Sequence, residues 1–194
     1  FRVVVGEPGR RGSYVAAHAY YPESIVHAVT NGVRSIEHGN LLDNETAQLM
    51  AEREAVLVPT LVTYLAMSER GRDMGMAEVA LRKNTEVLEA GKHAIELAAA
   101  AGVLVGFGSD LMGELEVEQL RGLQDQHEVQ GTLELLRSLT SRNAQILGVD
   151  HVGAIRPGAN GDLVILADDP FTNPATLWLE SDRRVVIQSG IVVS

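Results

Sequence analysis

The sequence predicts an α/β fold in which short parallel strands alternate with helices, followed by a smaller β-rich segment. Four segments, at residues 14–17, 33–37, 55–58 and 103–107, read as short buried strands, each followed by polar or turn residues and then a helical pattern. Continuous apolar strands alternating with helices imply a parallel sheet covered by helices, as in a barrel or a doubly wound sheet. After residue 148 the texture changes: Gly153, Pro157, Gly158, Gly161 and Pro170 punctuate β-prone runs at 163–166, 184–188 and 191–193.

The helical stretches carry their own punctuation. Pro22 suits the first helical position, and Asn31-Gly32 ends that helix before the second strand. Asp43 is placed to cap a helix carrying Glu45, Leu49 and Met50. Residues 77–101 form the longest helical pattern, apolar at Val79, Val87, Leu88, Ile95 and Leu97, and Gly102 stops it before the fourth strand. A further helix spans 132–146 and ends at Gly148.

A closed (β/α)₈ TIM barrel takes about 250 residues, whereas four βα units occupy about 130 here. The expectation is half a barrel over residues 1–148 and a β appendage over 149–194. Such a half exposes the flanks of its terminal strands, so oligomerisation, or association with the missing barrel half, is expected.

Composition narrows the partners. With 45% hydrophobic and 22% charged residues the chain is an ordinary globular one, and disordered and collagen-like classes drop out. A net charge of −10 with no basic run gives nucleic acid no electrostatic footprint. The absence of cysteine removes disulfides, thiolate metal sites and a thiol nucleophile together. The longest apolar stretch, 97–107, is short and broken by Gly102 and Gly106, so no membrane span is expected, and a cytoplasmic location is the default.

Three polar residues fall at the C-terminal end of an expected strand: His18, His38 and Asp110. In parallel α/β barrels that end is the catalytic face, so residues distant in sequence converge on one mouth. Imidazole and carboxylate suit zinc and similar divalent ions, which makes hydrolysis the natural chemistry. Against this, a lone strand-end histidine is usually a hydrogen-bonded loop residue, and Asp110 could simply cap a helix. Tyr64, beyond the third strand, falls on the same face, where its phenol could bond a substrate carboxylate or merely pack under the next helix. Tyr20 is a weaker candidate of the same kind. Glu37 and Asn40 flank His38 as possible supports; His27 and His93 fall inside helices, His127 and His151 in polar, turn-rich surroundings, and these four are given no function.

The ordered segments Tyr14-Val-Ala-Ala-His18-Ala-Tyr20, Gly32-Val-Arg-Ser-Ile-Glu-His38-Gly39-Asn40, Val58-Pro59-Thr60, Gly106-Phe-Gly-Ser-Asp110 and Arg156-Pro-Gly-Ala-Asn-Gly-Asp162-Leu-Val resemble the amidohydrolase superfamily. The likeness is greatest to its imidazolonepropionase-related branch, which includes Xaa-Pro dipeptidases (prolidases), and it covers only the C-terminal half of such an enzyme. The resemblance implies the C-terminal half of a metal-dependent TIM barrel, strands five to eight, followed by part of a small β-sandwich. It implies His18 and His38 as ligands of one metal ion and Asp110 as ligand of a second, with zinc the expected metal and two ions in the complete enzyme. Asp110 would also take the proton of the attacking water and pass it to the leaving group. The implied substrate is a small amide, an Xaa-Pro dipeptide above all.

The departures from that pattern matter as well. The family's His-x-His pair on strand one and its strand-four lysine are absent, and Lys83 and Lys92 fall in the wrong place to replace the latter. With half the ligands missing, the chain alone is expected to hold metal weakly and to be inactive. Tyr21 stands where deaminases of the superfamily carry a glutamate, which disfavours deamination. The alternatives are a cyclic-amide hydrolase of the imidazolonepropionase kind, a deaminase, and a non-catalytic half-barrel fragment.

Overall fold

A computed structural model describes Val5 and residues 13–179, 181 and 183–193. Three parallel strands, β1 (Ala16–Ala19), β2 (Ser35–His38) and β3 (Val56–Val58), lie side by side in chain order. Helices α1 (Pro22–Thr30) and α2 (Asn44–Glu52) make the crossovers, and α3 (Leu61–Arg70) and α4 (Glu78–Ala101) follow β3. The expected caps form. Pro22 opens α1, the Asp43 carboxylate accepts from the Thr46 amide at 2.8 Å, and Gly102 closes α4 at φ +82.

Register decides which face of the sheet is covered. Ala17, Ile36 and Leu57 form one row across the strands, extended by a single bridge from Leu57 to Val105. Ile36, Leu57 and Val105 are buried together with Ile25, Met50 and Ile95 of the helices. Each such side chain contributes about 1.5–3 kcal/mol by leaving water. The opposite row, His18, Glu37 and Val58, is exposed or half-buried. The helices therefore cover one face and leave the other open.

The fourth strand expected at 103–107 does not form as a strand. It keeps one bridge to β3, with the Leu57 amide donating to the Leu104 carbonyl at 3.0 Å and the Gly106 amide to the Leu57 carbonyl at 2.8 Å. Two helices were not expected. One is α3, which starts two residues after Pro59. The other is the first half of α5 (Gln119–Arg137), a polar stretch that puts His127 on a helix rather than among turns. Gly131, at φ +73 and ψ 174, breaks α5 just before the start expected for the last helix. A π turn (Ser138–Arg142) then leads into α6 (Asn143–Leu147), which Gly148 closes at φ +70. The C-terminal segment forms the antiparallel sheet β4 (Leu163–Ile165), β5 (Val185–Gln188) and β6 (Ile191–Val192). No helix among the described residues is long and apolar enough to cross a membrane.

Candidate functional site

His18 and His38 meet at the C-terminal ends of adjacent strands. His18 Nδ1 lies 2.8 Å from His38 Nε2, and the rings stack with centroids 5.0 Å apart. Alternation alone would not bring them together: His38 pairs with Ala19, one residue beyond His18, and would follow Ile36 toward the helices. Its backbone instead turns left-handed at φ +79. A non-glycine residue held there stores strain, and such strain clusters at functional sites. Gly39 makes the turn possible, because a Cβ at that position would sit 2.4 Å from Leu57 Cδ1. Asp110 is also left-handed, at φ +52.

The other nitrogen of His38, Nδ1, lies 2.8 Å from the Thr60 hydroxyl, and both residues are buried. Thr60 ends the β3 loop and starts α3, so the third strand sets the orientation of a ring on the second. Burial pushes the His38 imidazole below its usual pKa, with the Asp110 charge opposing and His18 adding. Neutrality is the state in which an imidazole ligates a metal. In the tautomer that carries its proton on Nδ1, the ring donates to the Thr60 hydroxyl and the Nε2 lone pair faces His18. Thr60 was not among the residues singled out from the sequence, although the Val58-Pro59-Thr60 segment held it.

An aromatic wall stands beside the pair. Tyr20 stacks on His38 with centroids 4.8 Å apart, and Tyr64 meets both rings edge-on. The Tyr64 hydroxyl donates to that of Tyr20 at 2.9 Å. Burial, and then the Tyr20 hydroxyl, push the Tyr64 phenol well above its usual pKa, so it stays a donor. Tyr64 thus lies on α3, buried against the site. Tyr21 is exposed and precedes α1.

The flanking residues have structural tasks as well. Burial raises the Glu37 carboxyl's pKa, while its bond from the Ser35 hydroxyl and the charge of His18 pull it down and that of Asp110 pushes it up. Asn40 ties the loop after β2 to α4 by donating to the Val87 carbonyl at 3.0 Å. The remaining histidines lie elsewhere: His93 pairs with Glu96, and His127 packs on Trp178.

Two imidazole nitrogens converging at hydrogen-bond distance, one backed by a hydroxyl, are a donor set that fits a divalent cation. The structure brings His18 and His38 together and leaves Asp110 exposed at the rim. No cluster of three His, Cys, Asp or Glu side chains able to hold a metal occurs among the described residues.

Comparison with known proteins fits this geometry. A profile of the Amidohydrolase family matches residues 5–193. The chain belongs to the amidohydrolase family. It is 42% identical to a prolidase whose crystal structure holds N-methylphosphonate-L-proline, with a TM-score of 0.94, covering 99% of this chain and 48% of that one. An Xaa-Pro dipeptidase crystallised with methionine in its active site is 26% identical, with a TM-score of 0.86, covering 99% of this chain and 47% of that one. Ochratoxinase of Aspergillus niger is 27% identical over 177 residues, 88% of this chain and 36% of that protein. The chain therefore spans between about a third and a half of these relatives' lengths.

Proposed function

We propose that this chain is the C-terminal part of a metal-dependent amidohydrolase that cleaves the C–N bond of a small substrate, an Xaa-Pro dipeptide above all. In this reading residues 1–148 are the C-terminal part of a TIM barrel, with β1 to β3 as its strands five to seven and the singly bridged segment 103–107 in the place of strand eight, and 149–194 are part of a β-sandwich. The observation that carries it is the His18–His38 pair, backed by Thr60 at the ends of parallel strands. The likeness to a prolidase at 42% identity supports the substrate class.

His18 through Nδ1 and His38 through Nε2 would hold a divalent cation, zinc in the first instance, and Asp110 a second. Such ions polarise a carbonyl and lower the pKa of bound water. Asp110 takes the proton from the attacking water and delivers it to the departing amine, so one carboxylate acts first as base and then as acid. Thr60 holds His38 in the tautomer that presents Nε2. Tyr64 holds the Tyr20 hydroxyl by donating to it, which leaves the Tyr20 proton available for a substrate carboxylate.

The test is the metal content of the full-length protein and of its His18→Ala and His38→Ala variants, followed by hydrolysis of a panel of Xaa-Pro dipeptides. Metal bound in a histidine-dependent manner together with dipeptide hydrolysis is expected. Retention of metal by the double variant would overturn the ligand assignment. Metal without dipeptide hydrolysis, but with turnover of lactam-like rings, would move the substrate to the imidazolonepropionase kind.

A further inference from the structure

The segment that carries Asp110 lacks the ladder that fixes the other two site residues. Its single bridge to β3 uses the Leu104 carbonyl and the Gly106 amide. The remaining carbonyls of three consecutive residues are taken by side chains from the helical layer. The Ser138 hydroxyl donates to Val105 O at 2.8 Å, the Gln126 amide to Gly106 O at 2.9 Å, and the Asn143 amide to Phe107 O at 3.0 Å. Asn143 also accepts from the Phe107 amide at 3.0 Å.

A carboxamide has the donor and acceptor of a peptide group, so Asn143 does at Phe107 what a residue of a neighbouring strand would do. Gly106 lets it approach: a Cβ there would lie 2.6 Å from Asn143 Oδ1. Only Gly108 and Ser109 separate Phe107 from Asp110. A Cβ on Gly108 would meet Val58 Cγ1 at 2.9 Å, so the chain leaves this clamp pressed against β3.

We propose that Asn143 is a positioning residue for Asp110: its carboxamide stands in for a strand partner at Phe107 and fixes where the turn bearing the carboxylate departs. The proposal rests on the reading of Asp110 as metal ligand and base. Ser138 and Gln126 hold the two preceding residues and complete a side-chain ladder that ends one short turn before the carboxylate.

The test uses Co²⁺ binding by the full-length protein, with amide hydrogen exchange over residues 104–112 as a second readout. Asn143→Ala is expected to weaken Co²⁺ binding about tenfold, as removal of groups that orient a ligand does, and to speed exchange in that segment. Asn143→Asp keeps the acceptor for the Phe107 amide and loses the donor. It is expected to fall between the two, and it serves if the alanine variant does not fold. Ser138→Ala removes a bond two residues farther from Asp110, so it is expected to lower the melting temperature while changing Co²⁺ affinity less than twofold. Unchanged affinity in Asn143→Ala, or an equal loss in Ser138→Ala, would overturn the proposal. Asp110→Asn separates the two claims. If it weakens Co²⁺ binding and Asn143→Ala does not, the positioning role alone fails; if it has no effect, the reading of Asp110 falls and takes the positioning role with it.

Discussion

His38 Nε2 lies 2.8 Å from His18 Nδ1 while its own Nδ1 lies 2.8 Å from Thr60 Oγ1, so one buried ring is held from both sides, by a group on β1 and by one at the start of α3. In the proposed function these two facing nitrogens would hold a divalent cation, and the Thr60 contact would keep the His38 ring aimed at it. Replacing Thr60 by valine keeps the shape and removes the oxygen. Metal affinity of the full-length protein, measured by chelator competition, is expected to fall about 10–100-fold. Stability is expected to fall by about 1–3 kcal/mol, because a buried ring nitrogen loses its partner. An unchanged affinity would show that Thr60 does not orient the ligand.

Gly106 offers a steric test of the same region. A methyl group there would press on both Asn143 Oδ1 and Ile146 Cδ1 at 2.6 Å. Neither belongs to a long flexible side chain free to swing away, since Asn143 is bonded to Phe107 at both ends and Ile146 is buried. Gly106→Ala is expected to destabilise by about 1–3 kcal/mol, the usual cost of overpacking. Equilibrium denaturation checks this, and a loss under about 0.5 kcal/mol, the level of an ordinary surface substitution, would mean that α6 gives way easily.

Asp125 lies buried on α5, and its Oδ2 has no hydrogen-bond partner among the described residues. Burial pushes its carboxyl up to about 6; Arg121 and Lys92 pull it down, while Glu128 and Glu69 push it further up. A carboxyl whose folded pKa exceeds its unfolded value ionises first in the unfolded chain. It therefore destabilises the fold progressively as pH rises from about 4 to about 6, and the cost is constant above that. Asp125→Asn removes this ionisation. The variant is expected to gain roughly 1–2 kcal/mol over the native chain at pH 7.5, with the difference vanishing near pH 4. Urea denaturation of both proteins across that range measures it. A difference independent of pH would assign the effect to packing instead.

The sequence made the first three strands and their caps legible because the first two segments stop at His18 and His38 and the third at Pro59 and Thr60. It placed 14–17 two residues early, since β1 pairs only from Ala16 and runs through His18. The fourth strand misled for a physical reason. Its composition is that of a buried strand, but Ser138, Gln126 and Asn143 take the carbonyls that a ladder would use, and no local pattern reveals donors twenty or more residues away. The α3 helix was hidden by its apolar composition after Pro59, and the first half of α5 by its polarity. At the site, His18 and His38 were legible as strand ends. The left-handed turn that makes them meet was not, because only Gly39 hinted at it.

The C-terminal sheet sets a last expectation. Val164, Ile165, Ile191, Val192 and Val193 are all more than half exposed on β4 to β6 and just beyond. The open row of β1 to β3 adds Ala16 and His18. Apolar residues gathered on an exposed three-stranded sheet mark a surface built to be covered, and uncovered strand edges template further pairing. The isolated 194-residue chain is therefore expected to self-associate at micromolar concentration, as measured by sedimentation velocity. Lysine at both Val164 and Val192 is expected to reduce that association, because two desolvated charges oppose burial of the sheet. A monodisperse monomer of the unaltered chain would show that these residues tolerate water without a partner.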